Sequence, residues 1–368
     1  MHTTAASHPQ TSTSNRTLVH REGFDKHILT FPPALSGAEC SGHLTGALAE
    51  IGGSVVSHMI FGGARESRPS ENQSPWPLCH LQGDPCRDEH PFASQAVVVS
   101  GTEVRPLDLH GRRVGSVYED ADAVYCHLCG VMPPDAQASR GAQALRFFEN
   151  IEAALARVGL DFRHTVRTWL YLEHLLDWYD EFNAVRTRFF EERGVFDHLV
   201  PASTGIGAAN HCGMAITGDV LAIKPKSKLV EVIPVASPLQ CPAIDYKSSF
   251  SRAIEIRSPG CRELGISGTA SIHPDGTSAH NDDIVRQIGL TMDVVAGILT
   301  SRGMDWADAT RAIAYFKNMN DVEAFHSHCR ENGISNLPVA LMHADVCRDE
   351  LLFEIEVDAA STDEFPSN

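Results

Sequence analysis

No stretch of this 368-residue sequence approaches the roughly 18–20 consecutive apolar residues of a membrane span, so no membrane partner is expected. Positive charge is also scarce. Thirty Lys and Arg stand against 47 Asp and Glu, a net charge of -17. Nothing resembles the basic stripe that gathers phosphates, so a nucleic-acid partner is not expected. A small anionic substrate remains open, because a few local arginines suffice for it. The N-terminal MHTTAASHPQTSTSN has no apolar centre and reads as a disordered tail, not a signal peptide. The ten cysteines form no dense framework, which suits a reducing cytoplasm. Cys126 and Cys129 make a lone C-x-x-C within AVYCHLCGV, a strand-like segment, and no second ligand pair lies at suitable spacing. They read as buried thiols. Neither a metal nor a cofactor is expected.

What is present is a duplication. Residues 143–171 recur as 287–315 at a constant offset of 144 residues. Phe148, Ile151, Leu155, Gly159, Asp161, Arg167 and Tyr171 align with Met292, Val295, Leu299, Gly303, Asp305, Arg311 and Tyr315. One offset shared by a helix face, a turn and the following strand marks a repeated unit. The apolar residues recur at helical spacing, and each glycine suits a helix C-terminus.

The organisation read from this pattern is an α+β chain of two tandem domains, each a mixed sheet with helices on one face. Residues 1–20 are the tail, and 21–90 an irregular Gly-, Pro- and Ser-rich extension with WPLCHLQGD as a turn-like segment. The first domain runs over 91–227, opening with the strand QAVVVSG. The second runs over 228–360, and 361–368 is a tail.

The closing strand carries the sharpest chemical signal. In LLFEIEVD, alternation places Phe353, Ile355 and Val357 on one face and Glu354 and Glu356 on the other. In the first copy, MAITGDVLAI puts Thr217 and Gly218 where the carboxylates would fall, so only the second copy keeps them. Cys347 precedes Glu354 by seven residues, with Arg348, Asp349 and Glu350 as a tight turn. A two-strand hairpin is expected to set the thiol beside the carboxylate face. Packing alone accounts for many such residues, a solvated strand Glu or a buried Cys among them.

ISGTASI, RAIAYF, LPVALMHADV and LLFEIEVDA resemble the layout of the YjgF/RidA-like fold. The longer segments WPLCHLQGD, GSVYEDADA, DWYDEFNAVRTRFF, VPASTGIGAAN and SPLQCPA with DYKSSFSRA resemble the chorismatases, whose two halves adopt that fold. The resemblance covers about 75–360. It implies an enzyme that cleaves the enolpyruvyl ether of chorismate to pyruvate and either 3-hydroxybenzoate or a dihydroxycyclohexadiene carboxylate. It assigns the catalytic glutamate to Glu354, and Cys347 implies the 3-hydroxybenzoate branch. Because RidA-like proteins favour trimers, either a homo-oligomer or a monomer is open.

Vinyl-ether cleavage begins with protonation of a carbon, which is slow, so the acid must be uncharged near neutral pH and firmly aimed. A Glu in a partly dry cleft has its pKa raised toward that condition. The substrate carboxylates need arginines, whose fork binds bidentately. Arg252 is the first candidate, since its segment flanks the pocket in RidA-like folds, and Arg186 the second. Tyr171 or Tyr315 is expected to hydrogen-bond the substrate. Gly268, Thr269 and Ala270 are expected to wall the ring, with Ser203 and Thr204 reaching from the first domain. The rival readings are a RidA-type enamine or imine deaminase and a non-catalytic binding module. The deaminase uses an arginine after the Pro of the penultimate strand, whereas Pro338 and Pro201 here precede Val339 and Ala202.

Overall fold

The computed structural model describes residues 15–34, 36–62, 74–82, 92–246 and 248–362. Within them the chain forms three six-stranded mixed sheets, one more than the sequence suggested. The first unit contains β1 (Asn15–Arg21), β2 (Phe24–Ala34), α1 (Gly37–Ile51), β3 (Ser54–Phe61), β4 (Leu78–Gln82) and β5 (Phe92–Ser100). The second contains β6 (Arg105–Leu109), β7 (Arg112–Glu119), β8 (Ala123–Val131), α2 (Arg140–Ala156), β9 (Thr165–Leu172), α3 (Tyr179–Glu192) and β10 (Ala202–Gly207). After β10 the short β11 (Ala209–Asn210) pairs with β4 in the first sheet, and β12 (Ile216–Pro225) returns to the second. The third contains β13 (Glu231–Val235), β14 (Ala253–Ser258), β15 (Cys261–Ala270), α4 (Ile284–Ser301), β16 (Ala309–Phe316), α5 (Val322–Glu331), β17 (Val339–His343) and β18 (Phe353–Ser361).

The strand orders show three variants of one plan. β1-β2-β5-β3-β4 matches β7-β8-β12-β9-β10 and β14-β15-β18-β16-β17. In each row the strand latest in the sequence, β5, β12 or β18, inserts between two antiparallel neighbours, and β4, β10 and β17 run parallel to the strands beside them. The α+β class therefore holds, but the extension at 21–90 is not irregular. Residues 15–20, assigned to the tail, already form β1. WPLCHLQGD supplies β4, not a turn, and QAVVVSG is β5 of the first sheet, so the boundary placed at 91 falls inside that sheet. These elements were hard to read for physical reasons. Helix α1 carries Gly37, Gly42 and Gly46, each a weak helix former. Strand β4 buries His80 and Gln82 among its apolar residues. Residues 1–14 and 363–368 lie outside the described residues.

The helices form where the spacing expects them. Ser139 caps α2 by accepting from the Ala142 N–H, and Asp283 caps α4 from the Arg286 N–H. Gly159 (φ 74°) and Gly303 (φ 69°) take the left-handed conformation just past those helices. Phe148 on α2 sits among Phe162, Phe182, Phe189 and Phe190 in the second core. Helix α4, 18 residues of mean hydropathy 1.3, is long and apolar enough to cross a membrane. Here Ile288, Met292, Val295 and Leu299 pack it onto the third sheet.

The helix-free faces of the three sheets turn toward one another. A shared core holds Met59 and Phe61 from the first sheet, Tyr171 and Ile206 from the second, and Ile313, Tyr315 and Met342 from the third. Fold and site depend on this contact. We expect Phe148→Ala to lower unfolding free energy by about 3–5 kcal/mol, read by denaturant titration.

Candidate active site

The matched registers single out one carboxyl. Phe61 on β3, Tyr171 on β9 and Tyr315 on β16 stand opposite Ala93, Thr217 and Glu354. Two residues further on, Met59, Trp169 and Ile313 stand opposite Gln95, Asp219 and Glu356. The counterpart of Glu356 is therefore Asp219, not Gly218 as the sequence suggested. The first copy lost one acid, not two. Asp219 accepts from the Gly130 N–H at 2.7 Å, and its burial raises its pKa to about 6.

Glu354 and Glu356 share one strand face but meet different surroundings. Glu356 is completely buried. It accepts from Arg311 Nη2 at 2.5 Å, Thr204 Oγ1 at 2.5 Å, Trp169 Nε1 at 2.8 Å and Arg167 Nη2 at 3.2 Å. Burial alone would raise its pKa, but Arg311 and Arg167 hold it below the ordinary carboxylate value. Glu354 is 4 % exposed and makes no hydrogen bond among the described residues. Burial, and then the negative charge of Glu356, push its pKa up to about 8 against weaker opposition from Arg167 and Arg252. An uncharged carboxyl thus sits beside an ionised one, the separation of roles that acid catalysis in water-poor sites uses.

Glu354 faces a cleft of about 190 Å³ between α3 and β10 of the second unit and β15 of the third. Ser203, Arg186, Arg252, Gly268, Ala270 and Cys347, all candidates named from the sequence, line it. Gly268 has a steric reason: a Cβ there would overlap Glu354 Oε1. Arg186 donates to Asn183 Oδ1 at 2.6 Å and lies over the Phe182 ring. Arg252 donates through Nε to the Cys241 carbonyl at 3.0 Å. Cys347 is partly buried, and its surroundings, then Glu354, push its thiol up to about 12. It is a neutral thiol at ordinary pH.

Four expectations need correction. Tyr171 and Tyr315 do not reach the cleft; both are fully buried in the shared core, because their strand positions face the centre of the molecule. Thr269 is buried and turns its hydroxyl to the Ser267 carbonyl. Thr204 lies behind the wall, donating to Glu356 while accepting from the Gly268 N–H at 3.0 Å. Cys347 reaches Glu354 without a hairpin. Strand β17 runs parallel to β16, and β18 pairs with β15 and β16 instead. The thiol lies on the connection between β17 and β18.

Other lining residues went unread. Tyr179 and Asn183 line the cleft from the face of α3 that also carries Arg186, at a spacing of four and three residues. That polar face was a visible signal within DWYDEFNAVR. Arg348, beside Cys347, also lines the cleft and donates to Ser278 Oγ at 3.0 Å. Ser248 and Phe250 come from the segment before β14.

No family model matches the chain. A 3-hydroxybenzoate synthase of Streptomyces hygroscopicus is 27% identical over 296 residues, 72% of this chain and 81% of that protein. A chorismatase of Streptomyces hygroscopicus is 29% identical over 213 residues, 52% of this chain and 60% of its own length. A chorismatase crystal structure superposes with a TM-score of 0.63 at 20% identity, covering 83% of this chain and 93% of its own. At that identity the superposition establishes the shared fold.

A carboxyl held protonated in the folded state lowers stability as pH rises from the ordinary carboxylate range to about 8. We expect Glu354→Gln, which carries no such penalty, to raise the melting temperature at pH 8. The gain should vanish near about pH 4, where both forms are neutral. Gly268→Ala is expected to keep the circular dichroism spectrum but displace Glu354 and cut turnover at least about tenfold, as a misplacement near 1 Å does.

Proposed function

We infer that this chain, a member of the chorismatase family, releases pyruvate from chorismate and leaves 3-hydroxybenzoate. The observation that carries this reading is Glu354, a carboxyl uncharged at neutral pH that opens onto a cleft with Arg186, Arg252 and Arg348 in its walls. Such a cleft suits a ring-bearing dianion, with arginines on its carboxylates and Gly268 and Ala270 leaving room for the ring.

In the proposed reaction the Glu354 proton goes to the methylene carbon of the enolpyruvyl group, forming a C–H bond and an oxocarbenium ion. The C4 hydroxyl oxygen then attacks C3, the C3–O ether bond breaks, and pyruvate leaves with that oxygen as its carbonyl. The ionised Glu354 recovers the hydroxyl proton. Breaking of the C4–O bond of the strained C3–C4 oxide, with loss of the C3 hydrogen as a proton and protonation of the oxygen left on C3, gives the aromatic product. All atoms of chorismate are accounted for, so this route takes up no net water. The diene-diol route takes up one. Cys347, neutral and beside Glu354, supports the former by positioning the ring or passing a proton.

The deaminase reading is disfavoured by Val339 and Ala202 after the two prolines. The nine described cysteines are all free, which supports a reducing cytoplasm.

Incubation of the purified protein with chorismate is expected to yield equal amounts of pyruvate and 3-hydroxybenzoate, resolved by mass and absorbance. Absence of pyruvate would contradict the assignment. Glu354→Gln is expected to lower kcat by at least about 10²-fold, within the range for a general acid. An unchanged kcat would remove Glu354 from that role. Cys347→Ala is expected to move product toward the diene diol, and an unaltered ratio would take the thiol out of the mechanism.

A further inference from the structure

We propose that Glu356 is a positioning residue for catalysis: its fixed negative charge and its bond to Thr204 keep Glu354 in the proton-donating form and aimed into the cleft. The inference rests on the reading of Glu354 as the acid.

The geometry is specific. Glu354 and Glu356 lie two residues apart on one face of β18, about 7 Å along the strand. Four donors from β9, β10 and β16 fix Glu356, so its charge has no freedom to move away. Thr204 is the mechanical link. Its hydroxyl donates to Glu356 and accepts from the Gly268 N–H, and Gly268 packs directly against Glu354 Oε1. A shift of Glu356 is therefore transmitted through Thr204 to the surface on which Glu354 rests.

The charges facing Glu354 come from several elements. Glu356 lies on its own strand, Arg167 on β9, Tyr315 on β16, Arg252 just before β14, Tyr179, Asp180 and Arg186 on α3, and Cys347 and Arg348 on the connection before β18. Tyr315 and Cys347 are neutral at ordinary pH, since burial raises the pKa of both. Glu356 is thus the buried anion whose charge opposes ionisation of Glu354, while Asp180 is exposed at the cleft mouth. Arg167 faces both acids, holding Glu356 ionised while drawing Glu354 toward ionisation. Replacing either charge should therefore move Glu354 in opposite directions, which a general loss of packing does not do.

The test is the pH dependence of kcat for pyruvate release, together with a titration of Glu354 in the substrate-free protein by carboxyl carbon-13 NMR. Glu356→Gln is expected to move the alkaline limb and the NMR midpoint down by about one pH unit, the size of a close charge effect. Arg167→Met is expected to move both upward. Glu356→Asp, which keeps the charge, is expected to hold the midpoint near that of the parent. An unmoved midpoint in folded Glu356→Gln protein overturns the proposal. If that variant does not fold, Arg167→Met decides: an upward midpoint supports the proposal, and an unmoved or lowered one overturns it. The titration needs no substrate, so a shifted midpoint without pyruvate release would count against the reaction while leaving the role of Glu356 intact.

Discussion

The bonds that Arg167 and Arg311 make to Glu356 are the constraint on which the rest of the structure depends. They join the second and third sheets through one buried carboxylate, with Thr204 and Trp169 completing its shell. Buried ions are costly unless well paired, and this one is paired on every side. The same arrangement leaves the carboxyl of Glu354, its neighbour on the strand face, without a side-chain hydrogen bond among the described residues. Two identical side chains on one strand thus acquire opposite protonation. One ties sheets together, and the other faces a cleft able to hold a small molecule.

The three sheets show how such a site arises within a repeated architecture. Each presents the same two strand positions to the molecular centre. At one they hold Ala93, Thr217 and Glu354, at the other Gln95, Asp219 and Glu356. The second position is polar in all three and serves cohesion: Gln95 accepts from Arg311 and donates to the Ala312 carbonyl, and Glu356 accepts from Arg311, Arg167, Thr204 and Trp169. The first position is free to vary, and only in the third sheet does it carry an acid. An inert copy keeps the packing while losing the chemistry.

Much of this was legible in the sequence. Alternation in the last strand put Phe353, Ile355 and Val357 into the helix-facing core and both glutamates opposite, and the structure agrees. The internal repeat fixed the equivalence of Arg167 with Arg311 and of Tyr171 with Tyr315. It did not reveal that the tyrosines pack where three sheets converge, since a strand pattern gives the face of a residue and not its neighbour. The hairpin expected around Cys347 failed for a related reason. Sequence adjacency suggests pairing, but β18 inserts between β15 and β16, so β16 separates it from β17 at the edge. The first sheet was missed because a glycine-bearing helix and a strand with buried His and Gln mimic loop composition.

A proton donor for carbon must hold its proton at the pH where the enzyme works, and that condition is the centre of this account. It is observable without turnover. Infrared difference spectra between the parent protein and Glu354→Gln, recorded across pH, report the carbonyl stretch of an un-ionised carboxyl. Such a band is expected at pH 7, fading with a midpoint near 8. Its absence at pH 6, with the carboxylate bands already present, would contradict it.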